Sequence, residues 1–70
     1  MLIEQAAVSL TAELGSITSS LEHLVERLDQ LATEVTGTDR EDVALGLIDV
    51  ERSLRSGVRR LERLTRDLDQ

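Results

Sequence analysis

The stretch LTAELGSITSSLEHLVERLDQLATEVTGTD, residues 10–39, decides the fold. Leu10, Leu14, Ile17, Leu21, Leu24, Leu28, Leu31 and Val35 alternate spacings of four and three, and Ile3 and Ala7 extend the series towards the start of the chain. A strand would need apolar residues at every second position. This spacing instead places one apolar stripe along an α-helix, as in a coiled-coil seam. In heptad terms Ala7, Leu14, Leu21, Leu28 and Val35 take a, while Ile3, Leu10, Ile17, Leu24 and Leu31 take d. The pattern predicts a first helix over about residues 3–36.

The stretch ends on its own stop signal. Gly37 is placed to adopt the left-handed conformation that terminates helices, so the turn is expected over about residues 36–39. Thr38 and Glu41 have capping-box spacing, and Asp39, Glu41 and Asp42 suit the positive end of a following helix. Beyond the turn, Val43, Leu47, Val50, Leu54, Gly57, Leu61, Leu64 and Leu68 repeat the alternation. Leu47, Leu54, Leu61 and Leu68 take a; Val43, Val50, Gly57 and Leu64 take d. A second helix over about residues 39–69 follows. Two helices of similar length joined by a tight turn fold back antiparallel. The expectation is a single all-α domain over residues 1–70, an antiparallel helical hairpin with heptad seams.

Two stretches weaken the pattern. Gly15-Ser16-Ile17-Thr18-Ser19-Ser20 and Ser53 with Ser56-Gly57 are poor helix formers, and folding about Gly37 brings them to the same level. Gly57 is expected in the seam, opposite Leu14 or Leu21 depending on register. It marks either a close approach of another helix or a kink.

A chain of 70 residues has difficulty burying a stable core alone. Two helices also give each seam residue neighbours on one side only. Ala6, Val25, Ala32, Ala44 and Val58 widen the stripe at its edges, as in helices of a bundle. Two hairpins packed as a four-helix bundle are therefore expected, making the chain a homodimer, with a partner protein completing the bundle as the alternative.

Composition excludes much else. There is no Cys, Pro, Phe, Trp or Tyr, one His, and a net charge of −6. No disulfide framework, thiolate metal site or His cluster is possible. No phosphate-binding Gly-rich loop or nucleophile motif occurs, so neither enzymatic activity nor a cofactor is expected. The longest uncharged run near the start, Gln5–Ala12, is far short of a membrane span, and no basic signal-peptide start precedes it. A cytoplasmic protein is expected. All eight basic residues are Arg, a usage typical of GC-rich bacterial genomes.

Two candidate sites remain. Leu45, Ile48, Arg52, Arg55, Arg59, Arg63 and Arg66 advance by threes and fours and share an arc of about 80° opposite the leucine seam. This apolar pair leading into an arginine ladder is the candidate partner-binding strip. It suits an acidic amphipathic helix or another anionic partner. Pairs such as Glu51 with Arg55 and Glu62 with Arg66 would neutralise part of it as an ordinary solvated face. Residues 1–36 hold six acids against Arg27, so the two halves have complementary charge. Nucleic acid is disfavoured by the overall charge and the absence of stacking aromatics. The second candidate is His23, at an outward position. Phosphotransfer through an exposed helical His is the alternative it raises. However, histidine-kinase dimerisation helices follow their His with an acidic residue and a nearby proline, and here Leu24 follows.

Overall fold

The computed structural model describes the backbone of residues 2–69 and the side chains of residues 10–68. Helix α1 runs Leu2–Val35 and helix α2 runs Glu41–Asp69, packed against each other as a hairpin of 58 × 15 × 11 Å. The side chains of Ile3, Glu4, Ala6 and Ala7 lie outside the described residues. Both helices pass unbroken through their weak stretches. In α1 the Thr18 hydroxyl donates to the Leu14 carbonyl at 2.8 Å, so a polar residue is buried there without an unmet bond.

The turn is built by Gly37 and Thr38. Gly37 has φ of 83°, a conformation that costs a residue with a Cβ far more than glycine. Thr38 N donates to the Val35 carbonyl at 3.2 Å, closing a four-residue turn with Gly37 third, where a type II turn demands positive φ. The Thr38 hydroxyl donates to the same carbonyl at 2.6 Å and accepts from Arg40 N at 3.1 Å. Glu41 Oε1 accepts from Gly37 N at 3.0 Å. The reciprocal bonding of a capping box is thus present, displaced by one residue from the expected atoms. Arg40 supplies the first carbonyl of α2, accepting from Val43 N at 2.9 Å, so α2 begins at Glu41 and not at residue 39.

The contact between the helices corrects the expected seam. The buried residues are Thr18, Val25 and Ala32 of α1 and Ala44, Glu51 and Val58 of α2, all at heptad position e. The a residues Leu14, Leu21, Leu28, Leu47, Leu54 and Leu61 are half-buried beside them. The d residues Leu10, Ile17, Leu24, Leu31, Val50 and Leu64 are exposed, Leu24 at 46%. Residues expected at the stripe's edge therefore form the centre of the hairpin contact. The reason is size. A line of Ala, Val and Thr lets two helices approach, and each helix can turn only part of a stripe of about 100° towards a single neighbour. The remainder stays open.

Candidate interaction surfaces

The turn sets Ala32 level with Ala44, Val25 with Glu51 and Thr18 with Val58, along the line where the helices meet. Because the helices run antiparallel about this line, the d residues of both emerge on the same side. Leu21, Leu24, Leu28 and Leu31 of α1 and Leu54 of α2 line one shallow apolar groove, with Arg27 at its rim. Leu10, Ile17, Val50, Leu64 and Leu68 continue the exposed apolar surface towards both ends. A compact monomer of this mass exposes about 4,400 Å². This hairpin exposes 5609 Å². The difference is comparable to the roughly 800 Å² that each partner contributes to a standard protein interface.

The opposite side is charged. Glu22, Val25 and Glu26 of α1 and Arg55, Val58, Arg59 and Glu62 of α2 line a groove there. The acidic edge of α1 and the basic edge of α2 thus lie across one groove of a single hairpin. Arg55 Nη2 donates to Glu51 Oε1 at 3.0 Å, the one ion pair among the described residues. Glu62 and Arg66, with the same spacing, form none. The Glu51 carboxylate is buried with its residue 6% exposed, while Arg55 reaches solvent. The sequence signal for that burial was available: Glu51 occupies the heptad position of Ala44 and Val58.

All seven residues of the expected strip are exposed. Leu45 is 70% exposed and Ile48 41%, and Ile48 borders a second shallow groove with Glu51, Arg52, Arg55 and Arg59. Arg63 and Arg66 stand further along the same helix, Arg66 beside Gly15, Thr18, Glu62 and Thr65. Arg55 belongs both to this strip and to the buried pair with Glu51. His23 is exposed on α1. Among the described residues no group of three or more His, Asp or Glu is placed to hold a metal ion. No helix among them is long and apolar enough to cross a membrane. No protein-family profile, curated protein or solved structure matches the chain.

Proposed function

We propose that this chain is a non-enzymatic assembly module, a helical hairpin that self-associates by burying its apolar face against that of a second copy as a four-helix bundle. The observation that carries this reading is the open row of Leu10, Ile17, Leu24 and Leu31 beside Val50, Leu64 and Leu68 on one side of the hairpin. Contiguous apolar surface of this extent, bordered by polar residues, is characteristic of protein association. The hairpin's own buried apolar residues are few and small: Val25, Ala32, Ala44 and Val58. Covering the second side supplies the large-residue core that a two-helix chain lacks. Light scattering across a concentration series tests the reading through the mass of the species.

A second surface has its own supporting observation. Leu45, at 70% exposure, and Ile48 lie outside both the hairpin contact and the apolar face, and they lead into Arg52, Arg55, Arg59, Arg63 and Arg66. This strip suits the docking of an acidic amphipathic helix, with the dimer then acting as a small accessory subunit. Binding by an acidic helical peptide that weakens with salt is its test. Anion binding to nucleic acid is the weaker version, because the chain carries a net charge of −6. Phosphotransfer through His23 has only the residue's exposure in its favour.

A further inference from the structure

The geometry points to one arrangement of the two copies: the hairpins pack turn to tail, with Leu54 of each filling the notch left at Gly57 of the other. This inference rests on the proposed self-association and specifies its symmetry.

The apolar face carries a hole and a knob three residues apart. Gly57 occupies a d position where the other repeats of α2 place Val43, Val50 and Leu64. A Cβ built at Gly57 would meet nothing within 4 Å, so the hairpin itself has no need of the glycine. Nor does the turn, since Gly57 has no positive φ. Glycine in a helix interior weakens the helix, so the notch calls for an occupant outside the hairpin. Leu54, one turn earlier, is half-buried and lines the open groove.

Two hairpins can meet face to face about a two-fold axis in two ways, each keeping neighbouring helices antiparallel. With the turns at the same end, every layer meets its own copy. Gly57 and Ile17 would then meet Gly57 and Ile17 of the second copy, leaving a gap where two large side chains are missing. With the turns at opposite ends, α1 lies along α1 of the second copy and α2 along its α2. The register of greatest overlap puts the axis through the helix midpoints, between residues 18 and 19 of α1 and at Arg55 of α2. Within one residue of that register, Leu54 stands opposite Gly57 of the second copy and Leu21 opposite Ile17. Large meets small on both sides of the axis, as close packing requires.

Charge favours the same arrangement. Glu13 and Arg27 stand seven residues either side of Ser20 on the outer edge of the apolar face of α1, and both are exposed. Antiparallel pairing of the two α1 helices sets Glu13 of each copy against Arg27 of the other, and Ser20 near the axis. A face carrying its own knob, hole and opposed charges in symmetric positions is self-complementary, which selects a second copy over a foreign partner.

The chain has no Cys, so introduced thiols report without background. Ser20 and Ser53 are exposed, and each is replaced singly by Cys and treated with a short bismaleimide cross-linker. The turn-to-tail dimer links Ser20→Cys chains to one another. Linking only between Ser20→Cys and Ser53→Cys chains in a mixture reveals turns at the same end, and overturns this arrangement while leaving self-association intact. A particle that scatters as a folded monomer overturns self-association itself. Gly57→Leu gives an independent reading, with Gly57→Ala as the milder version. Each should keep or raise helicity while weakening dimerisation, by at least tenfold for Leu. Dimerisation unchanged or tightened in both variants would overturn the knob-and-hole contact.

Discussion

The carboxylate of Glu51 lies buried between the two helices with its Oε1 3.0 Å from Nη2 of Arg55, one turn further along α2. Glu51 sits level with Val25, in a line otherwise occupied by small uncharged residues. Burying a carboxylate is costly unless it is paired, and a buried pair often contributes less than an apolar residue of similar volume. The two partners should therefore respond in opposite ways. Arg55→Ala leaves the carboxylate unpaired and lowers stability by about 1 kcal/mol, a value reduced by the exposure of the arginine. Glu51→Met leaves stability unchanged or raises it. Thermal melts of both variants at one protein concentration check the signs.

The shifted contact separates two kinds of apolar residue. Val25 is buried within the hairpin, so Val25→Asp places an unpaired charge between the helices at a cost of several kcal/mol, enough to unfold so small a domain. Leu24 is half-exposed on the open face. Leu24→Asp should give a helical monomer whose melting temperature no longer rises with protein concentration. Circular dichroism and scattering on the same samples distinguish the two outcomes.

The outer strip should be independent of both. Leu45→Ser with Ile48→Ser touches neither the hairpin contact nor the apolar face, and is expected to leave helicity intact and the dimer dissociation constant within about twofold of the parent, the usual range for surface changes. The same pair should weaken binding of an acidic amphipathic peptide. Arg59→Glu with Arg63→Glu should weaken it as well, with the parent's binding declining steeply as salt is raised. A collapse of helicity in the first double variant would place these leucine and isoleucine side chains in a core.

His23→Ala should change neither folding nor association, because the imidazole is exposed and forms no ion pair. Loss of biological activity in a variant that folds and associates normally would turn attention back to phosphotransfer.

Most of the architecture was legible in the sequence because helix periodicity and turn chemistry are local. Gly37 and the spacing of Thr38 and Glu41 placed the turn, and the alternation of fours and threes placed both helices. The face chosen for the hairpin contact was not legible in the same way. Leu24 and Val25 both belong to one wide stripe, and only the fit between two particular helices decides which edge closes. Small residues at 18, 25, 32, 44 and 58 closed first because they permit the shorter approach, leaving the larger leucines outward. Glu51 was hidden for a related reason: a charged residue one turn from an arginine is usually a surface pair, and its burial follows from the displaced contact.

The central claim is that the open leucine face is covered by a second copy. Sedimentation equilibrium from low micromolar to submillimolar concentration measures this directly. The account predicts a helical species of twice the 7.8 kDa chain mass, with dissociation appearing only on dilution. A fully helical particle of 7.8 kDa across the whole range, melting at a temperature independent of concentration, would contradict it.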